Sequence, residues 1–450
     1  MTEPYYSNDL TTIYNGKAEL VLKELPSNHV DVIVTDPPYG ISFMGKKWDY
    51  DVPSVEIWKE CLRVLKPGGH LLSFAGTRTY HRMVVNIEDA GFQIRDMIAW
   101  VYGSGFPKSL NIGKAIDKAV GAVREVIGQN QDILKKQAKD IKDGKRKILD
   151  SFDCGNPERN NGFKTVSADI TTPATEVAKQ WDGWGTALKP ALEPIVLARK
   201  PISEKTIAEN VLKWGTGGLN IDECRVKYRD DIDKALAKPQ GRATSKIGGL
   251  AGGQQSNRKR NEFEVIQRGR FPANLIHDGS DEVIRLFPES KGQQGDLKGH
   301  NKNRKSPNGC FGEMGPARDH PKRNDQGSAA RFFYCAKASR KERNMNMEGI
   351  NKKPLLWSSG TKNPGSFQSP NTNRSAQNNH PTVKPLALVR YLIQLCTSEG
   401  NVILDPFLGS GTTAIAAKQI NRGCIGIEKD EWYCEISVKR SVRQQELALS

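Results

Sequence analysis

Residues 401 to 428 constrain the fold more than any other part of this 450-residue chain. The apolar run Asn401-Val402-Ile403-Leu404 leads into Asp405-Pro406-Phe407-Leu408-Gly409-Ser410-Gly411-Thr412-Thr413, a glycine-rich turn, and then into the helical stretch Ala414-Ile415-Ala416-Ala417. Glycines in such a turn let the backbone approach a ligand closely. Arg422-Gly423-Cys424-Ile425-Gly426-Ile427-Glu428 reads as the next strand, ending in an acid. A strand, a glycine turn, a helix and an acid-tipped strand predict an α/β fold with a doubly wound sheet, in which such an acid hydrogen-bonds ribose hydroxyls. A P-loop needs Lys-Ser or Lys-Thr after its last glycine to reach phosphate. Here Thr412-Thr413 follow Gly411, so a nucleoside triphosphate site is set aside.

The other strong local signal is Asp36-Pro37-Pro38-Tyr39, at the end of the apolar run Val30-Asp31-Val32-Ile33-Val34-Thr35. It puts a carboxylate, a rigid turn and an aromatic ring where a strand stops, a site for gripping a flat amine. With proline near one residue in twenty, this tetrapeptide arises by chance in roughly a few of every thousand chains of this length. The plainer reading is an ordinary turn after an edge strand, because proline pre-sets the turn and ends pairing.

Taken together, Asp36-Pro37-Pro38-Tyr39, Asp405-Pro406-Phe407-Leu408-Gly409-Ser410-Gly411 and His380-Pro381-Thr382-Val383-Lys384-Pro385 closely resemble the motifs of the amino-methyltransferases of DNA, which use S-adenosylmethionine (SAM). The catalytic motif precedes the cofactor motif, as in the permuted beta group of that family. The resemblance covers roughly residues 12 to 106, 185 to 204 and 378 to 440. It implies a circularly permuted, Rossmann-like methyltransferase sheet with SAM as cofactor. Asp405, Phe407, Gly409, Ser410 and Gly411 are then expected to line the SAM pocket, Glu428 to take the ribose, and Thr382 and Lys384 to sit near the methionine end. Family members usually place an acid after the third strand to read the SAM adenine; here that stretch is Tyr14-Asn15-Gly16-Lys17, a departure from the pattern.

The chemistry follows from the amine. Its lone pair is delocalised into the base, so methylation requires hydrogen-bond acceptors that draw the nitrogen toward tetrahedral geometry. Asp36 offers a carboxylate oxygen and Pro37 a backbone carbonyl, held by the Pro37-Pro38 turn. The target atom is unreachable inside a stacked duplex, so the base is expected to flip out at a cost of a few kcal/mol. Tyr39 is the natural stacking platform, and such stacking is worth roughly 1 to 3 kcal/mol. In the resembled family a leading Asp goes mostly with adenine N6 and a leading Ser with cytosine N4, so adenine is the expected base and cytosine the alternative. No cysteine follows a proline in the manner needed for attack on the cytosine ring.

Alternating strands and amphipathic helices divide the sheet domain into two pieces. Residues 1–106 form the catalytic half: a helix from Ala18 to Leu25, the Val30 to Thr35 strand, a helix from Val55 to Leu65 stopped by Lys66-Pro67-Gly68-Gly69, a strand from His70 to Phe74, a helix from Thr77 to Ala90 and a strand from Arg95 to Tyr102. Residues 185–204 add a last strand, Glu193 to Arg199. Residues 378–450 form the SAM-binding half, with helices at Leu386 to Ser398 and Asp430 to Gln445. The permuted order sends the third cofactor-side strand to Thr11 to Tyr14, so the sheet is assembled from both ends of the chain.

Two insertions interrupt it. Residues 107–184 carry Lys135, Lys136, Lys139, Lys142, Lys145, Arg146 and Lys147, read either as a solvated helix face or as a phosphate-tracking surface. Residues 205–377 are rich in Gly, Asn and basic residues, with apolar islands at Gly217 to Ile221, Gly269 to Ile276 and Arg331 to Cys335. They are expected to form a loop-rich target-recognition region that orders on DNA, with a disordered linker as the alternative.

The formal charge of +16 and pI near 9.4 call for a polyanionic partner, and the mean hydropathy of −0.58 with no long apolar run calls for an aqueous one. Nucleic acid is the economical partner, and the resemblance to the amino-methyltransferases of DNA makes it double-stranded DNA. Met1-Thr2-Glu3-Pro4-Tyr5-Tyr6-Ser7 shows no secretion signal, so a cytoplasmic protein is expected. Eight scattered cysteines, without Cys-x-x-Cys or paired histidines at zinc spacing, read as reduced thiols rather than a metal site. A homodimer and a separate restriction endonuclease are possible partners. An RNA or protein-amide methyltransferase and a catalytically dead DNA-binding protein are the competing classes; the first is disfavoured by Asp rather than Asn at 36 and by the basic insertions, the second by the intact Asp36 and glycines.

Overall fold

A computed structural model describes residues 3–41, 49–105, 109–131, 134–135, 169–228, 269–290, 327–336, 342, 344–347, 353–354, 375–376, 378, 380 and 382–442. Most of the lysine-rich run from 135 to 147, the polar stretches 248–260 and 291–326, and Pro381 lie outside these residues. Ten strands form one mixed sheet: β1 (Tyr6–Ser7), β2 (Thr11–Asn15), β3 (Val30–Thr35), β4 (Leu65–Phe74), β5 (Gln93–Val101), β6 (Leu192–Arg199), β7 (Leu275–His277), β8 (Tyr334–Cys335), β9 (Val402–Asp405) and β10 (Gly423–Glu428). Their spatial order is β1-β2-β10-β9-β3-β4-β6-β5-β7-β8. From β2 to β4 the neighbours are parallel; β6 runs antiparallel between β4 and β5.

β3 lies inside the sheet, and all six of its residues are buried, Asp31 and Thr35 included, which is why apolar side chains dominate both of its faces. Its side chains split by the two-residue period: Val32 and Val34 join a core with α4 (Leu386–Cys396) and α5 (Thr412–Lys418). Ile33, with Leu71 of β4, joins a second core on the opposite face, under α1 (Ala18–Glu24), α2 (Val55–Val64) and α3 (Tyr80–Asp89). Trp58, Cys61 and Val64 are the buried stripe of α2 at helical spacing. The expected doubly wound architecture is therefore present, with helices on both faces.

The permutation expected from the motif order is visible in the register. β2, from the start of the chain, pairs in parallel with β10, with Asn15 opposite Glu428. The Asn15 side-chain amide and the Gly16 N–H both donate to the Glu428 carbonyl, each at 3.0 Å. α6 (Glu431–Val442) then follows β10.

The clearest departures from the sequence expectation fall at α2, at α3 and in the apolar islands. α2 gives way directly to β4 at Leu65, because Lys66 to Gly69 do not form a loop apart from the sheet. They bulge within it, the β3 partner shifting from Leu65 at Val30 to His70 at Val32. α3 starts at Tyr80, not Thr77, because Thr79 turns its hydroxyl to the Tyr39 carbonyl, 2.5 Å away. Two of the apolar islands in 205–377 end in short strands that extend the sheet: β7 pairs in parallel with β5, and β8, at the edge, with β7.

Among the described residues no helix is long and apolar enough to cross a membrane. At the amino ends of the central strands, Asp31 binds two neighbours of β3 at once. One carboxylate oxygen meets Lys66 at 2.5 Å, and the other accepts the Val402 N–H at 2.8 Å. Removing the carboxylate strands the Val402 N–H, which costs about 1–3 kcal/mol, while Lys66, 27% exposed, can turn to water. Asp31→Ala is therefore expected to lower unfolding stability by about 2 kcal/mol, read from urea unfolding midpoints; a loss under about 0.5 kcal/mol, the size of an ordinary surface change, refutes it.

Candidate active site

β9 continues through α5 to β10 on one side, while β3 continues through α2 to β4 on the other, so the chain direction across the sheet reverses between β9 and β3. The carboxyl ends of two strands that diverge in this way leave a crevice, the usual ligand position in open α/β sheets. Here the two ends carry Asp405 and Asp36. A pocket between them is lined by Thr35, Asp36, Phe74, His380, Thr382, Lys384, Asp405, Phe407, Gly409 and Ser410, among others.

Asp405 fixes the floor. One oxygen accepts the Thr35 hydroxyl at 2.7 Å and the Phe407 N–H at 3.1 Å; the other accepts the Thr413 hydroxyl at 2.6 Å. Burial pushes its carboxyl up to about 6 against the lowering pull of the Thr413 and Thr35 hydrogen bonds.

Above it, the Asp36-Pro37-Pro38-Tyr39 loop is clamped by groups that local sequence did not single out. The buried Asp49 carboxylate accepts the N–H groups of Tyr39 at 2.6 Å and Gly40 at 3.0 Å, and Thr79 holds the Tyr39 carbonyl. Asp36 itself is held by two donors. The Tyr39 hydroxyl donates to Oδ1 at 2.7 Å, and the Lys384 ammonium meets Oδ2 at 2.8 Å.

Lys384, expected near the methionine end of a cofactor, thus has its charged end on the Asp36 loop. It also lies 3.1 Å from Oε2 of Glu193 at the start of β6, and stands over the rings of Phe74 and Tyr39 at 4.9 and 5.4 Å. Burial alone would discharge this ammonium, but the carboxylates of Asp36 and Glu193 outweigh it and hold its pKa above the ordinary lysine value. Burial, reinforced by Asp36 and Glu193, likewise holds the Tyr39 phenol well above its usual range, so it remains a hydroxyl.

The glycine turn is shaped from both sides. Gly409 has φ +57°, and a Cβ there would come within 2.7 Å of the His380 ring. Gly411 has φ +81°, and its missing Cβ faces the Ser437 backbone at 2.9 Å, so this glycine lets α6 pack on the turn and does not face the pocket. The Ser410 hydroxyl is buried between the Asn378 amide and the Arg440 guanidinium. Glu428, at the tip of β10, accepts the Gly409 N–H at 2.9 Å and the Asp430 N–H at 2.8 Å; burial pushes its carboxyl up to about 7 despite those bonds. The structure thus brings Asp36, Tyr39 and Lys384 into one cluster, and Asp405, Phe407, Gly409 and Glu428 into an adjoining one. Asp49, Thr79, Glu193 and His380 join them without any motif of their own to announce it, His380 excepted, which opens the His380 to Pro385 segment.

The family profile of N6 and N4 methyltransferases, described as DNA methylase, matches residues 30–439. The chain is 51% identical to the Type II methyltransferase M.HindIII of Haemophilus influenzae over 471 aligned residues, covering 95% of this chain and 94% of that one. It is 46% identical to the Type II methyltransferase M2.DpnII of Streptococcus pneumoniae over 67 residues, 15% of this chain and 25% of that one. Among solved structures, the cytosine-N4-specific PvuII DNA methyltransferase aligns at 13% identity and a TM-score of 0.41, covering 98% of this chain and 89% of that one.

The raised carboxyls have a thermodynamic signature. The folded chain keeps the Glu428 proton up to about 7, whereas an ordinary glutamate ionises near 4.5. Between those values the folded state binds more protons than the open chain, so stability falls as pH rises through the window. Asp405 adds the same sign between 3.8 and about 6. Glu428→Gln, which cannot ionise, is expected to flatten the slope, most clearly above about 6 where Asp405 no longer contributes. Urea unfolding across that pH range checks it; a slope identical to wild type refutes it.

Proposed function

The chain belongs to the DNA methylase family of N6 and N4 methyltransferases, and on that footing we propose that it transfers a methyl group from SAM to the exocyclic N6 of an adenine flipped out of double-stranded DNA. The observation that carries the proposal is the placement of the Asp36 loop and the Asp405 glycine turn on adjoining strand ends, across a crevice where the sheet changes direction.

The residues present fit SAM. Phe407, Gly409 and Thr382 line the crevice and provide an apolar face and a close backbone wall, and the Glu428 carboxylate, bonded to the Gly409 N–H beside it, is the acceptor for ribose hydroxyls. When bound, SAM supplies an electrophilic methyl: its carbon–sulfur bond breaks as the bond to the amine nitrogen forms, sulfur leaves as a neutral thioether, and the nitrogen then gives up a proton to water.

The chain's own residues prepare the nitrogen. Asp36 accepts one amine hydrogen and the Pro37 carbonyl the other, drawing the nitrogen lone pair out of conjugation. The Asp49 and Thr79 clamps hold this loop rigid, so the acceptors need no reorganisation when the base arrives. The Tyr39 ring faces the base, which offsets part of the flipping cost.

Reading of the DNA sequence is assigned to residues 205–377, and backbone contacts to the basic residues that give the chain its +16 charge. The similarity to Type II methyltransferases extends the proposal to restriction–modification in the cytoplasm, with a separate endonuclease as partner.

The test is incubation with labelled SAM and mixed-sequence double-stranded DNA, then digestion to nucleosides and mass analysis. N6-methyladenine is expected, and Asp36→Ala is expected to lower its formation by at least about 100-fold. N4-methylcytosine would overturn the base assignment while keeping the mechanism. Methylation undiminished in Asp36→Ala would overturn the role of the loop.

A further inference from the structure

The Tyr39 hydroxyl and the Lys384 ammonium are the two donors on Asp36, one on each carboxylate oxygen. Both donors also reach a single oxygen of Glu193: Oε2 lies 3.2 Å from the Tyr39 hydroxyl and 3.1 Å from Lys384 Nζ. The donors touch each other as well, at 3.1 Å. Two carboxylates from strands on either side of β4 therefore share one ammonium and one hydroxyl in a space where the lysine side chain is only 9% exposed.

This arrangement bears on the amine reaction proposed above, on which the inference rests. An Asp36 that keeps its ion pair at full strength is a weaker acceptor for a neutral base amine. An Asp36 that releases it leaves a nearly buried ammonium without a counter-charge, which is strongly unfavourable. A second carboxylate in reach removes the conflict. Rotation of one hydroxyl and a small displacement of one ammonium transfer both donors toward Glu193, and Asp36 is freed while the buried ammonium keeps a counter-charge.

We propose that Glu193 is a positioning residue for methyl transfer, acting as the alternate partner that takes Lys384 and the Tyr39 hydroxyl when Asp36 turns to the target amine. Glu193 touches neither base nor methyl donor in this role. Its position fits: as the second residue of β6 it pairs with Trp100 of β5, and its carboxylate reinforces burial in holding the Tyr102 phenol above its ordinary range.

The experiment compares wild type, Glu193→Gln, Glu193→Asp, Lys384→Met and the Glu193→Gln/Lys384→Met pair in single-turnover methylation of DNA at saturating SAM. SAM affinity by calorimetry and thermal unfolding are measured alongside. Glu193→Gln keeps the shape but loses the charge. It is expected to lower the rate by about 100-fold, the scale of a misplaced catalytic group, with SAM affinity and fold unchanged. Glu193→Asp is expected to recover about a third or more of the wild-type rate. In the Lys384→Met background there is no ammonium to pass on, so adding Glu193→Gln is expected to cost about twofold or less, a strong departure from additivity.

The pH profile supplies a readout that a packing role would not move. The groups facing Lys384 are Asp36, Glu193, Tyr39 and, across Glu193, Tyr102. With one carboxylate gone, burial pulls the ammonium toward discharge at lower pH. A neutral lysine no longer competes for Asp36, so the Glu193→Gln rate is expected to climb toward alkaline pH relative to wild type. A Glu193→Gln rate within twofold of wild type, equal losses with and without Lys384, equal failure of the Gln and Asp variants, or a parallel pH profile would each overturn the inference. If wild type itself methylates no base amine in DNA, the functional reading falls and this inference with it; an active wild type beside an unaffected Glu193→Gln overturns the inference alone.

Discussion

Everything at the crevice depends on one buried carboxylate. Asp405 bonds Thr35 at the end of β3, Thr413 in the first turn of α5 and the Phe407 amide in the glycine turn. Thr35 and Asp405 stand 370 residues apart in sequence, yet their 2.7 Å bond sets the spacing between the two halves of the site. The price of that position is a carboxyl pushed up to about 6 by burial, compensated by three donors. A geometry held by a fully satisfied buried acceptor is rigid in the way catalysis by preorganised hydrogen bonds requires.

The second level of organisation is electrostatic. Asp36, Glu193 and Lys384 leave the cluster with a net charge of −1, counted from two carboxylates and one ammonium. That sign suits a reaction in which a positively charged donor is consumed and a positive charge passes through the acceptor nitrogen. The same cluster ties the first half of the chain to the second, since Lys384 comes from the segment just before α4 and its partners from β3 and β6.

The sheet strands and the two motif loops were legible in the sequence because their signals are local. β3 and β9 are short apolar runs that end in turn chemistry, and β10 ends in an acid. Their partnering through a permuted sheet followed from motif order. What was not legible depends on contacts distant in sequence. Glu193 looks like the first residue of an ordinary strand until the fold sets it against Lys384, and Asp49 looks like a loop aspartate until its oxygen is seen on two amides of the Asp36 loop. Gly411 carried the opposite lesson: a glycine in a ligand-binding motif whose missing side chain makes room for a neighbouring helix. The short strands β7 and β8 were hidden because two or three paired residues in a polar stretch give no measurable periodicity.

The pairing of β2 with β10 and of β3 with β9 has a consequence for how the chain is made. A ribosome adding about 5–20 residues per second needs about 20–70 s to cover the 370 residues between Thr35 and Asp405. Throughout that interval β3, wholly buried in the finished sheet, presents an open parallel edge with no neighbour on its β9 side. Such edges are templates for unwanted pairing with other chains. The nascent protein therefore carries an adhesive β3 edge until the last strands are synthesised.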